Sequence, residues 1–164
     1  MSCFSNEFNK SKEFQTLSQS VNTLNAPVGV IGLSDVTKCF AAHSLCQNGE
    51  KAFIITLDEA TAVKVQECLG AVQDGVLLYP TREMTFVEVA GVSHDFEHIR
   101  LGVLSRILQG DYSAVVMSAV AACQYTMPPK ELEKRTFKIS VGDEFNINDL
   151  EKKLVFAGYT RYDQ

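Results

Sequence analysis

A chain of 164 residues that is 46% hydrophobic and 21% charged can bury a sizeable core without help from disulfides or metals. Its net charge of −5, and the lack of any Lys/Arg run interleaved with aromatics, disfavour direct nucleic-acid binding. Five cysteines without a C-x-x-C pair, a start without a basic n-region, and no stretch near the roughly 20 apolar residues of a membrane span predict a reduced, cytoplasmic protein with no membrane contact.

Phe14, Leu17, Val21 and Leu24 recur at helical spacing, so an amphipathic helix is expected ahead of the Ala26-Pro27 break. A first strand is predicted over Val28 to Ile31, then a helix capped by Ser34 with Val36, Cys39, Phe40, His43 and Cys46 on its inward face, ending near Asn48-Gly49. Ala52 to Leu57 reads as a fully buried strand. Asp58 caps a third helix through Ala62, Val65 and Leu69, with Gly70 able to turn left-handed at its end. Val76 to Tyr79 is the third strand. A polar stretch from Pro80 to Val92 precedes a helix capped by Ser93 and closed by Gly110, and Ala114 to Met117 is the fourth strand.

Short apolar strands alternating with capped helices predict an α/β, doubly wound and mainly parallel sheet. Met127-Pro128-Pro129 breaks the pattern, which places a boundary between a domain of residues 1–127 and the beginning of a second α+β subdomain over residues 128–164. In the latter, Thr136 to Val141 alternates like a half-exposed strand and Asn148 is the expected cap of a helix through Leu150, Leu154 and Phe156. A unit this small buries little core of its own, so the second subdomain is expected to be truncated.

Three stretches carry possible chemistry. Gly29 to Val36 sits where a phosphate loop would, but Asp35 and Val36 fall in the Lys and hydroxyl slots of G-x-x-x-x-G-K-[ST], with Lys38 a helical turn further on. A strand-to-helix turn of small residues is the simpler reading. His94-Asp95-Phe96-Glu97-His98 matches H-x-x-E-H but lacks a third ligand, so a solvated helix start is preferred to a zinc site. Cys39, His43 and Cys46 share one helix face, where core packing is preferred to a metal site. No catalytic, cofactor-binding or metal-ligating residue is assigned.

Leu77-Leu78-Tyr79-Pro80-Thr81-Arg82-Glu83, the helix from Ser93 to Gly110 with Arg100-Leu101, Leu104 and Leu108, and Ala114 to Ala122 are similar to successive segments of the bacterial transcription-repair coupling factors, the Mfd family. Val141-Gly142-Asp143-Glu144-Phe145, Leu150, Leu154, Ala157-Gly158-Tyr159 and Tyr162-Asp163-Gln164 resemble their "VGDELDLEALLERLVALGYERVDQV". Glu97-His98-Ile99 and Leu101 resemble UvrB more distantly, but UvrB has an intact phosphate loop and a long aromatic hairpin where this chain has only Pro80 to Val92. The resemblance implies a UvrB-like domain with a degenerate phosphate loop, which is not itself an enzyme. It further implies UvrA recruitment through the second subdomain, with Arg161 in the right neighbourhood. ATP and magnesium would act in a downstream motor, and RNA polymerase and DNA would be met by downstream parts of a DNA-repair translocase. The alternatives are a stand-alone nucleotide-binding α/β enzyme with a variant phosphate loop, or a UvrB fragment.

Overall fold

The computed structural model describes residues 8–23, 27–47, 49–82 and 95–160. Helices α1 (Lys12–Asn22) and α2 (Asp35–Cys46) precede β1 (Ala52–Thr56), α3 (Glu59–Gly70), β2 (Val76–Tyr79), α4 (Asp95–Gln109), β3 (Ala114–Ser118) and α5 (Ala119–Cys123). Two further helices follow, α6 (Pro129–Arg135) and α7 (Ile147–Ala157). The chain divides into two compact units, residues 1–124 and 125–164.

In the first unit the three strands form one parallel sheet in the order β1-β3-β2, in register from Ala52 and Val76 opposite Ala114. All five residues of β3 are buried, because it pairs on both edges and is covered on both faces. Leu77, Tyr79, Val115 and Met117 pack with Val103 of α4 and Ala121 of α5 on one face. Strand alternation turns Ala114 and Val116 to the opposite face, where α3 packs with its fully buried Ala62 and Leu69. Helices thus cover both faces, as an α/β alternation requires.

Local chemistry sets the element ends. Ser34 Oγ accepts from the Thr37 N–H, Asp58 Oδ1 from the Thr61 N–H at 2.7 Å, and Ser118 Oγ from the Ala121 N–H at 3.1 Å, each satisfying a donor that the helix leaves free. Gly110 closes α4 at φ 71°, as expected of it. Gly75 takes φ 78° in the tight entry to β2, where its carbonyl accepts from the Ser113 N–H at 2.9 Å.

Several expectations need correction. Val28 to Ile31 forms no strand: the segment is without regular structure and its apolar side chains are exposed, Ile31 at 97%. A strand needs a partner edge as well as apolar residues, and this one makes no ladder in the sheet. Ala52 to Leu57 is not fully buried. β1 is an edge strand, and Phe53 and Ile55 lie on the α4 side of the sheet, yet they remain 54% and 61% exposed because α4 packs over β2 rather than β1. Gly70 stays helical, and α3 is finished by Ala71 in the right-handed conformation. In the second unit Thr136 to Val141 forms no strand and pairs with no strand among the described residues. Asn146, not Asn148, caps α7, its Oδ1 accepting from the Asn148 N–H at 3.0 Å. The Pro128-Pro129 pair starts α6 rather than only breaking the chain, since proline suits the first helical turn. The proposed Ser93 cap and the Leu24 position lie outside the described residues.

Two outcomes test this account. Gly75→Ala is expected to destabilise by about 1–2 kcal/mol for a left-handed residue with a side chain, and by more for the clash, since a Cβ there would stand 3.0 Å from the Ser113 nitrogen; chemical denaturation measures it. The Thr61 backbone N–H, with its side chain, holds the Asp58 carboxyl below its ordinary 3.8. A depressed folded pKa contributes stability above the unfolded value and loses it as pH falls through the folded one. Acid unfolding of Asp58→Asn should therefore depend less steeply on pH below 3.8 than that of the wild type.

Candidate functional site

In open parallel sheets, ligands bind beyond the carboxyl ends of the strands. Here that rim is built from Thr56 at the end of β1, Pro80-Thr81-Arg82 after β2, and Ser118 at the end of β3, with Glu59 from the first turn of α3. The Glu59 carboxylate accepts from the Thr81 N–H at 3.1 Å, from the Thr81 hydroxyl, and from the Ser118 hydroxyl at 3.0 Å. The Thr56 hydroxyl donates to the Asp58 carbonyl at 2.8 Å.

On the other side of the β2 exit, Arg100 of α4 is 6% exposed and lies over the Tyr79 ring at 4.1 Å. Its Nη1 donates to the Pro80 carbonyl at 2.7 Å and to Gln124 Oε1 at 3.0 Å. The Gln124 amide is also bidentate on the Arg82 backbone: Oε1 accepts from its N–H at 2.7 Å, and Nε2 donates to its carbonyl at 3.0 Å. Arg82 itself pairs with Glu97 at 2.8 Å. Side chains from three helices or their ends therefore hold one exit loop.

This rim is built to hold its own chain. Glu59 places a carboxylate on this rim, where it accepts three hydrogen bonds from Thr81 and Ser118. Ser118 is 1% exposed, so its hydroxyl lacks the access of a nucleophile. The exposed stretch of residues 29–36 contributes Ser34 as a cap, and Lys38 is bound to Asp35 at 2.9 Å. That contact lowers the Asp35 pKa through the Lys38 hydrogen bond first.

Of the other sequence candidates, His43 and Cys46 are engaged with neighbouring groups. Both ring nitrogens of the buried His43 are engaged, Nδ1 with Gln73 Oε1 at 2.7 Å and Nε2 with Gln47 Nε2 at 3.0 Å; with Nδ1 protonated, the ring donates to Gln73 and accepts from Gln47. The Cys46 thiol donates to the Ser113 carbonyl at 3.7 Å. His98 is exposed on α4, while His94 lies outside the described residues. Among the described residues no group of three or more His, Cys, Asp or Glu side chains is arranged to hold a metal, and no helix is long and apolar enough to cross a membrane. Glu59, Thr81, Arg100 and Gln124 were not singled out from sequence. Only Thr81 and Arg100 carried a signal, as parts of segments resembling the coupling factors.

The second unit has the other distinctive surface. Helix α7 has no buried residue, and Ile147, Leu150, Leu154, Val155 and Tyr159 line an open apolar cleft beside it. Arg135 of α6 donates from Nη1 to the Phe156 carbonyl at 3.0 Å and lies over the Phe156 ring at 4.8 Å. Arg161, the one residue given a partner-binding role, lies outside the described residues.

Comparison with known proteins finds a transcription-repair-coupling factor of Bacillus subtilis (strain 168), 32% identical over 136 residues. The match covers 80% of this chain and 12% of that protein, so the chain spans about an eighth of the length of the curated relative it matches. It shows the resemblance read from the residue stretches above. No family model matches the chain, and no solved structure does.

The exit-loop clamp makes a clear prediction. Arg100→Ala removes a charged donor from a buried carbonyl, worth about 1.5–3 kcal/mol, and a cation–π contact of about 0.5–2 kcal/mol. A loss of about 2–5 kcal/mol is expected by denaturant unfolding. Arg100→Lys should recover only part of it, because the ammonium cannot reproduce the guanidinium plane over Tyr79 while bridging Pro80 and Gln124.

Proposed function

We propose that the chain is a non-catalytic module of a transcription-repair coupling factor, acting in transcription-coupled repair of DNA, and that its second unit contributes to recruiting UvrA. The observation that carries this is the 32% identity over 136 residues to such a factor. The first unit serves as a UvrB-like scaffold whose phosphate loop, Gly29 to Val36, is inactive. Supporting that reading, Asp35 rather than a cation opens α2, Lys38 is engaged with Asp35, and Glu59 occupies the sheet rim. The work of an ATP- and magnesium-driven motor, and contact with DNA and RNA polymerase, belong on this reading to other parts of the longer protein.

The uncovered apolar side of α7, with Arg161 beyond it, is the surface assigned to the partner. In the longer coupling factor, Arg161→Ala is expected to weaken UvrA binding about tenfold, or about 1.4 kcal/mol, as for a typical interface arginine. ATP hydrolysis by the same variant should be unchanged. Titration calorimetry against UvrA reads the first and a phosphate-release assay the second; unchanged UvrA affinity removes Arg161 from the interface.

The inactive loop is tested separately by thermal unfolding with millimolar ATP and magnesium, since a ligand bound only to the folded state raises its stability. No shift is expected. If the wild type is stabilised as much as an Asp35→Lys, Val36→Thr double variant, Lys38 supplies the missing charge and the stand-alone nucleotide-binding reading gains.

A further inference from the structure

The helices of the two units are held differently. In the first unit α2 buries Cys39 and Ala41, and α3 buries Ala62 and Leu69 completely. In the second, α7 has 11 residues and no buried side chain, and Leu132 of α6 is the one buried residue among those described between 125 and 160. A helix of that length is marginal in water on its own hydrogen bonds and propensities, so packing has to hold it. Leu150, Leu154 and Ala157 supply that packing while only partly buried. The remaining ties lie near the helix ends. Asn146 Oδ1 accepts from the Asn148 N–H at 3.0 Å, and Gly158, left-handed at φ 104°, donates its N–H to the Val155 carbonyl at 3.0 Å. From α6, Arg135 meets the Phe156 carbonyl and ring, yet its buried Nε has no hydrogen-bond partner among the described residues.

We propose that α7 of the free chain opens and closes reversibly while β3 stays folded, and that UvrA binds the closed form. The opening rests on the packing just described, and the coupling to UvrA rests on the functional reading above. Ile147, Leu150 and Leu154 stand at i, i+3 and i+7, so they share one side only while α7 is helical. Opening scatters that stripe, and a partner that reads it distinguishes the two forms. Its apparent affinity is then the intrinsic affinity scaled by the closed fraction.

Whatever shifts the Arg135 clasp or the Gly158 cap therefore tunes recruitment without altering a side chain of the cleft. Gly158 lies outside the cleft lining, and a Cβ built on it would meet nothing within 4 Å. An alanine there changes the backbone preference alone.

Hydrogen exchange of the 164-residue chain reads the opening. Amides of residues 151–157 should be protected less than about tenfold, while those of β3 show the full protection of global unfolding. Gly158→Ala should shift α7 about five- to thirtyfold toward the open form and leave β3 protection unchanged. From near-equal populations, that shift lowers the affinity of the longer coupling factor for UvrA by about three- to fifteenfold, read by titration calorimetry. Saturating UvrA should in turn protect residues 151–157. If those amides are as protected as β3 in the free chain, the opening is overturned, whatever UvrA does. If they exchange freely but UvrA binds without protecting them, and binds Gly158→Ala equally well, α7 is not the UvrA-facing surface and the coupling is overturned with that reading.

Discussion

The first unit depends on the double pairing of β3. Ala114–Ser118 hydrogen-bonds to β1 on one edge and β2 on the other, which satisfies its backbone where no water reaches and allows all five of its residues to be buried. Burying one unpaired strand of that length would leave several donors and acceptors unsatisfied, at about 1–3 kcal/mol each. Pairing on both sides removes that cost and draws α3 and α5 to the same strand, with α4 against its neighbour β2. The exit loops of β2 and β3 are side by side for the same reason, and Thr81 and Ser118 can therefore share the Glu59 carboxylate.

Central position for β3 also explains what is left open. β1 has neither a second neighbour nor helix cover comparable to that of β2, so its apolar side chains on the α4 side stay half-exposed. The sequence pattern of Ala52 to Leu57 is that of a buried strand, and its chemistry is the same as that of Ala114 to Ser118. Hydropathy alone cannot separate them. What differs is sheet order, and order is set by where crossover helices lead the chain, information spread over some sixty residues between β1 and β3.

The legible features were therefore local. Ser34, Asp58 and Gly110 mark helix ends through hydrogen bonds or dihedrals that span only a few residues, and the strands at Val76 and Ala114 are short apolar runs between such marks. Illegible features were those that need a distant partner. Val28 to Ile31 and Thr136 to Val141 have strand-like composition without a ladder. The exit-loop clamp joins Arg100, Gln124, Pro80 and Arg82, residues separated by 20 and 24 positions or more, and no short window contains it. An arginine in an amphipathic helix ordinarily reads as a surface residue. Arg100 is buried because a planar cation can lie on Tyr79 while its edge serves the Pro80 carbonyl.

The same clamp bears on function. A phosphate-using α/β protein keeps the carboxyl ends of its strands free of anions and supplies backbone N–H groups and a cation to the ligand. Here a carboxylate fills that position, and two hydroxyls and a backbone N–H that could have faced a ligand are directed at it instead. The rim thus rewards holding the exit loop in one place over exchanging ligands. Under the proposed function the surface offered to the partner is the apolar side of α7, which among the described residues has no buried side chain.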